Sequence, residues 1–172
     1  NIGIRNTKTG EFGINYNPSL QVSSFTNVNK LSETSFILNA PVEKQFGEAF
    51  TFKIEGKADV TVYKTKNLVP DVKINNNVFQ IAPSLVFSTP RFSINGGIAP
   101  TWDNGKFIWL PNVFAEAYIA ENVFAFQAGW VGRLTKNTYR NLSAVNPYLA
   151  AFTAQLNTKE TEYYGGIKGT LG

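Results

Sequence analysis

The chain has 172 residues, of which 43% are hydrophobic and 16% charged, a balance that predicts a folded chain with a sizeable core. It contains no Cys, which excludes disulfides and thiolate metal sites, and no His, which removes the usual general base and the commonest metal ligand. The net charge of +4 is scattered along the chain and does not indicate a nucleic-acid-binding surface. We therefore predict neither an enzyme nor a nucleic-acid-binding protein.

Alternating apolar and polar residues predict strands from the N-terminus onward. Ile2 and Ile4 end a first strand, residues 6–10 form a polar turn, and a second strand covers residues 12–23. Residues 26–34 are predicted as a polar loop. A third strand over residues 35–43 then turns through a three-residue loop, Gln45-Phe46-Gly47, with Gly last.

The fourth predicted strand, residues 50–63, has the most regular alternation in the chain. Its polar face carries a row of alternating charge, namely Lys53, Glu55, Lys57 and Asp59. At roughly 3.3 Å per residue this strand spans about 46 Å, which few sheets of soluble proteins require. A membrane strand tilted near 45° needs about 9–11 residues in the hydrocarbon, so the length favours a membrane strand. A loop is predicted over residues 64–76.

Residues 77–134 are predicted to form a meander with three tight turns. Asn104-Gly105 is the strongest hairpin signal, and a two-residue loop there pairs residues whose numbers add up to 209. A turn at Thr89-Pro90 pairs Phe87 with Phe92. A turn at Glu121-Asn122 pairs Ala120 with Val123 and Val113 with Trp130. All three turns keep the apolar residues on one continuous face.

The C-terminal part consists of an insertion at residues 135–158, with a helical turn possible at Tyr139 to Val145, and a last strand from Tyr163. The predicted connections are short at one end of the strands and mostly long at the other. This asymmetry is typical of outer-membrane barrels. Trp102, Trp109 and Trp130 all lie on the apolar face toward the long-loop end, where they would form an aromatic girdle at the membrane interface.

These patterns predict an all-β fold: a transmembrane antiparallel up-and-down β-barrel, or a contiguous part of a larger one, with about eight to nine strands. The missing initiator Met is typical of a processed chain or an excerpt, so we expect one barrel domain or segment, residues 1–172, incomplete at both ends. The alternative from the same alternation is a soluble antiparallel barrel whose aromatic residues fill a core and bind a ligand.

In a membrane barrel the polar residues would face the lumen. The predicted lumen-facing residues are Lys53, Glu55, Lys57, Asp59, Asn112, Glu116, Gln127, Arg133 and Lys168. Glu116 should lie opposite Gln127. The insertion supplies the predicted contact residues of an outer loop, which are Tyr139, Arg140, Tyr148 and Phe152. No catalytic group, cofactor or metal site is predicted.

The last loop and strand contain four distinctive short sequences: Asn137-Thr138-Tyr139-Arg140, Asn146-Pro147-Tyr148, Leu156-Asn157-Thr158-Lys159 and Glu162-Tyr163-Tyr164-Gly165-Gly166-Ile167-Lys168-Gly169. This resembles barrel segments of the TonB-dependent-receptor-like outer-membrane proteins of Bacteroidota. The resemblance implies a location in the bacterial outer membrane, with the lipid bilayer and other outer-membrane proteins as partners. It implies passage or uptake of an unidentified small solute, or alternatively a non-transporting structural subunit of an assembly or secretion complex. Family members usually carry an N-terminal plug domain and a TonB-box, and neither is visible in this sequence.

Overall fold

A computed structural model of the chain describes residues 2–4, 6, 12–27, 31–65, 72–119, 124–146, 148–149 and 156–169. Those residues form one antiparallel sheet and one short helix. The elements are β1 (Ile2–Gly3), β2 (Ile14–Tyr16), β3 (Ser19–Thr26), β4 (Leu31–Phe46), β5 (Phe50–Thr65), β6 (Val72–Ser88), β7 (Phe92–Ile98), β8 (Thr101–Asp103), β9 (Lys106–Ile108), β10 (Pro111–Ile119), β11 (Phe124–Thr135), α1 (Tyr139–Val145) and β12 (Thr158–Gly169). The predicted all-β class is confirmed.

The path across the sheet in the described part of the chain is β1-β3-β4-β5-β6-β7-β10-β11-β12, which is nine strands, as predicted. β2 pairs with the same strand as β3, and the short β8–β9 hairpin continues the β7–β10 pair. Within the described residues no pairing joins β1 to β12, so the sheet has two edges. The closed barrel therefore stays a prediction.

The turn at Asn104-Gly105 sets the register of two strand pairs. Both turn residues have positive φ, 50° and 84°, as a two-residue hairpin loop with this sequence requires. Trp102 pairs with Phe107, and the same register continues to Phe92 opposite Ala117. The predicted pairs whose numbers add up to 209 are thus confirmed.

The β10–β11 register also agrees with the sequence, since Val113 lies opposite Trp130. The pair Ala120 and Val123 lies outside the described residues. By contrast, the predicted pairing of Phe87 with Phe92 is wrong, because Phe87 lies opposite Ile94.

The Thr89 side chain explains this shift. Its Oγ1 accepts hydrogen bonds from the backbone N–H groups of Arg91 (3.3 Å) and Phe92 (3.1 Å), and the Thr89 N–H donates to the Phe92 carbonyl (2.8 Å). The connection is therefore longer than a two-residue loop. The shift in pairing is two residues, so every side chain keeps its predicted face.

Three predicted loops differ from the structure. The loop placed at residues 45–47 lies at 47–49, where Phe46 pairs with Phe50 and Gly47 comes first, with φ 61°. The loops predicted at residues 26–34 and 64–76 are shorter, because β3 and β5 reach Thr26 and Thr65 and the next strands begin at Leu31 and Val72. These strand ends are rich in Thr, Ser and Asn, which resemble loop residues in sequence but here continue the polar face. The connections are therefore less asymmetric in length than predicted.

The two faces of the sheet differ sharply in chemistry. We call the face that carries Glu33, Asp59, Asn76 and Gln127 the inner face, and the opposite one the outer face. Large apolar side chains are exposed on the outer face in almost every strand; they include Phe36, Leu38, Phe52, Ile54, Phe79, Ile81, Leu85, Ile94, Ile98, Trp102, Phe107, Val113, Phe126, Trp130, Tyr163 and Ile167. Many of the buried side chains are instead polar residues of the inner face, including Glu33, Ser35, Asp59, Thr61, Asn76, Ser84, Asn95 and Thr101.

Gly97 lies where β6 and β7 approach closely. A Cβ at this position would lie 2.6 Å from the Ser84 Cβ and 2.9 Å from the Pro83 carbonyl oxygen, whereas no atom of the described residues beyond its chain neighbours lies within 4 Å of a Cβ at Gly96. Gly97→Ala is expected to lower the free energy of unfolding by about 1–3 kcal/mol, because the strands must move apart. Gly96→Ala is the control and should change it by less than about 0.5 kcal/mol. Urea unfolding followed by tryptophan fluorescence measures both, and equal effects would contradict this explanation of Gly97.

Candidate functional site on the inner face

The connection between β11 and β12 is described at residues 136–146, 148–149 and 156–157, and several of these residues contact the inner face on strands far from β11 in the sheet. Their described contacts extend to β4, β5, β6 and β8. We call these contacts the clamp. Because one connection touches both halves of the sheet on the same face, the sheet must curve toward its inner face.

A buried ion pair forms the first part of the clamp. The Lys136 ammonium donates to the Asp59 carboxylate, to the Asp59 carbonyl (2.9 Å) and to the Thr61 hydroxyl (2.8 Å). The two charged side chains are only 10% and 9% exposed. Burial lowers the pKa of the Lys136 ammonium, and the hydrogen bond and charge of Asp59 act in the opposite direction. The Asp59 carboxylate thus helps to keep Lys136 charged in its buried position.

Tyr139 forms the second part of the clamp. It begins α1, where Thr138 is the N-cap and accepts a hydrogen bond from the Asn141 N–H (3.1 Å). The Tyr139 N–H donates to the Glu33 carboxylate (2.6 Å), and its ring packs on Tyr63 with centroids 5.5 Å apart. The sequence suggested Tyr139 as a contact residue of an outer loop, but its side chain is 2% exposed and packs against the sheet.

Amide side chains form the third part of the clamp. Asn76, which is 0% exposed, and Asn157 exchange two hydrogen bonds of 2.9 and 2.8 Å between their side-chain amides. Asn157 also donates to the Asp103 carboxylate (2.6 Å) and accepts from the Asn137 N–H (3.1 Å). Asn76 donates to the Asn137 carbonyl (3.0 Å). Both ends of the connection are thereby fixed to β6 and β8.

Four of the predicted lumen-facing residues are brought together. Glu55, Lys57, Asn112 and Arg133, which come from β5, β10 and β11, line one cavity of about 270 Å³. A fifth, Asp59, belongs to the clamp. Curvature of the sheet is what places β5 and β11 around the same cavity.

The remaining predicted lumen-facing residues are dispersed over the inner face. Lys53 pairs with Glu43 across β4 and β5 at 3.6 Å, and both side chains are about half exposed. Glu116 lies opposite Gln127, as predicted, and accepts a hydrogen bond from the Tyr118 hydroxyl (2.9 Å). Lys168 is exposed on the edge strand β12.

The predicted interface aromatics all lie exposed on the outer face. Trp102 packs on Phe107 with ring centroids 5.4 Å apart, and Trp130 stacks on Tyr163 at 5.8 Å. Trp109 contacts Phe107 edge to face. Among the other predicted loop residues, Arg140 and Tyr148 are exposed, and Phe152 lies outside the described residues.

Sequence reasoning missed Lys136, Glu33, Asn76 and Asn157 as members of this site. Two of the distinctive runs of the C-terminal part do coincide with the clamp, since Asn137-Thr138-Tyr139 begins the connection and Leu156-Asn157-Thr158 ends it. Distinctive short sequences therefore marked both ends of the connection. Its partners on β4 to β6 had no such mark, because a single polar residue on a polar strand face does not stand out from its neighbours.

Comparisons with protein-family models, with curated proteins and with solved structures found no match. Among the described residues no group of three acidic side chains is arranged to hold a metal ion. The same part of the chain contains no helix that is both long and apolar enough to span a membrane.

Proposed function

We propose that the chain is an outer-membrane β-barrel, or a contiguous part of a wider one, of the TonB-dependent-receptor-like type. In this proposal the outer face contacts lipid and the inner face lines the passage of a small solute. The clamp narrows that passage at one end of the strands.

The observation that carries the proposal is the distribution of apolar and polar side chains. Soluble proteins bury large apolar residues and rarely bury charged ones, and they seldom expose contiguous apolar patches larger than a few hundred Å². Here the exposed apolar residues extend over the whole outer face, whereas Glu33, Asp59 and Asn76 are buried on the inner face. Lipid on the outer face and a polar lumen would match both faces. The same distribution counts against a soluble ligand-binding barrel.

Strand length supports the proposal as well. β4 and β5 have 16 residues each and β6 has 17, which exceeds the about 9–11 residues that a tilted strand needs to cross the hydrocarbon. In lipid, an unpaired strand edge would leave backbone N–H and C=O groups without partners, at several kcal/mol each. The proposal therefore requires a partner for the free edges of β1 and β12, which is either the other edge in a closed barrel or a further strand in a wider one.

A second candidate function is a structural subunit that docks on another outer-membrane protein without transporting anything. The observation that favours it is an apolar groove of about 680 Å³ on the outer face of β7 and β10 to β12. Small residues line its floor, namely Ala115, Ala117, Ala128 and Gly165. Small side chains allow close approach of a second protein surface in a membrane.

A measurement of ion conductance distinguishes the two candidate functions. The native polypeptide that contains these residues is purified in detergent and inserted into planar bilayers. Solute passage predicts discrete conductance steps, and Asp59→Asn should enlarge them because the clamp is weakened. A protein that inserts but stays silent, and that co-purifies with another outer-membrane protein at fixed stoichiometry, would overturn the first function and support the second.

A further inference from the structure

We propose that the cavity of about 270 Å³ on the inner face binds a small organic carboxylate. The inference rests on the proposed function, because it assigns a solute class to the same inner face. The lining of the cavity combines charged and amide side chains with a few apolar ones. Its polar lining residues are Glu55, Lys57, Gln80, Asn112 and Arg133, and its apolar ones include Val78, Ala82 and Ala99.

The size of the cavity limits the ligand. Liquid water occupies about 30 Å³ per molecule, so the cavity has the volume of about nine waters, which suits a small acid rather than an oligosaccharide or peptide. The buried side chains of Val78 and Ala99 offer an apolar surface for a carbon skeleton. Binding sites of this kind combine apolar walls with a few polar groups that fix the orientation of the ligand.

The charge of the lining favours an anion. Lys57 and Arg133 bring two positive charges and Glu55 one negative charge, so one cation is in excess. No salt bridge involves Lys57 within the described part of the chain. Arg133 contacts Glu162 at 3.3 Å, but the two side chains are 62% and 52% exposed, and such pairs hold only weakly.

Arg133 and Gln80 can also fix the orientation of the ligand through the positions of their hydrogen-bonding groups. A guanidinium has five N–H donors, so the single contact of Arg133 Nη1 with Glu162 leaves a donor pair for a carboxylate. Gln80 donates its Nε2 to the Thr101 hydroxyl (2.8 Å), which fixes its amide and leaves its oxygen as an acceptor. That oxygen and the Glu55 carboxylate would accept from a hydroxyl group, so a hydroxycarboxylate satisfies the lining best.

The test is isothermal titration calorimetry on the full chain in detergent, with L-malate as the probe and L-malamide as its neutral analogue. We expect saturable binding of malate and at least tenfold weaker binding of malamide. Lys57→Gln and Arg133→Gln should each weaken malate binding at least tenfold, and Glu55→Gln should strengthen it because a negative charge is removed. Lys44→Gln, at an outer-face position opposite Phe52, is the matched control and should bind as the unmodified chain does.

Equal binding of malate and malamide would contradict the proposed carboxylate site. Unchanged malate binding by the Lys57 and Arg133 variants, whose melting curves are unaltered, would contradict it as well. Conductance in bilayers is measured on the same samples. A protein that conducts without binding malate contradicts the carboxylate site and leaves the proposed function intact. A silent protein that binds malate as described supports the site and contradicts solute passage.

Discussion

Replacing Asp59 with Asn is expected to lower the free energy of unfolding by about 3–5 kcal/mol, because the Lys136 ammonium would stay buried without its counter-charge. The clamp should loosen at the same time. Urea unfolding measures the first effect, and the rate of tryptic cleavage after the exposed Arg140 measures the second. Lys136→Met in the same background should recover much of the loss, since the buried charge is then gone.

The matched control is the exposed ion pair of Lys53 and Glu43, whose side chains are about half exposed. Lys53→Met should cost no more than about 1 kcal/mol. If Asp59→Asn costs as little as Lys53→Met, the buried pair does not hold the clamp.

We expect the buried pair to make the stability of the chain depend on pH. Burial lowers the pKa of Lys136, so the folded chain binds this proton less tightly than the unfolded chain does. Below the folded-state pKa the lysine is charged in both states and the cost of burying it is present in full. As the pH rises from there toward the ordinary lysine value of about 10.4, folding becomes more favourable. Asp59→Asn removes the carboxylate that opposes the lowering of the Lys136 pKa. The free energy of unfolding of this variant should therefore rise as the pH is raised, and adding Lys136→Met should abolish the rise.

Leu38→Arg is expected to lower the stability of the chain in lipid vesicles by about 2–4 kcal/mol. Leu38 lies in the middle of β4 on the outer face and is 44% exposed. An arginine there would have to enter the hydrocarbon if the outer face contacts lipid. Urea titration of the protein refolded into vesicles gives the difference in unfolding free energy.

Asn39→Arg is the matched control, since Asn39 is the next residue and lies on the inner face. Lys57 lies opposite it, so a like-charge cost of about 0.2–1 kcal/mol is expected and no more. Equal costs for Leu38→Arg and Asn39→Arg would contradict a lipid-facing outer face. A soluble sheet would tolerate an arginine at the exposed Leu38 position with a change of about 0.5 kcal/mol or less.

The strand faces and much of the register could be predicted because they depend on local rules. Alternation assigns each side chain to a face, and Asn104-Gly105 fixes the pairing from Trp102 opposite Phe107 to Phe92 opposite Ala117. The Thr89 turn was mispredicted because one side-chain hydroxyl, not the dipeptide Thr89-Pro90, decides its length.

The clamp could not be predicted, because it joins polar residues that follow no periodicity. Glu33 and Asn76 fell within predicted loops, and Lys136 showed no pattern that would assign it to Asp59. Curvature of the sheet is also absent from the sequence signal, so the meeting of Lys57 and Arg133 at one cavity was not foreseen. Two members of the predicted row of charge on β5 find their partners on other elements, since Lys53 pairs with Glu43 and Asp59 with Lys136.

The clamp also has a consequence for the order of folding. Tyr139 and Glu33 are 106 positions apart in the chain, and Lys136 and Asp59 are 77 apart, whereas the hairpins join neighbours. Closing such large loops costs more entropy than closing a hairpin, so we expect these contacts to form after the strands they connect. Contacts formed after the rate-limiting step act on the rate of unfolding rather than on the rate of folding. We therefore expect the clamp to form late, on a sheet that has already assembled, and to slow the unfolding of that sheet.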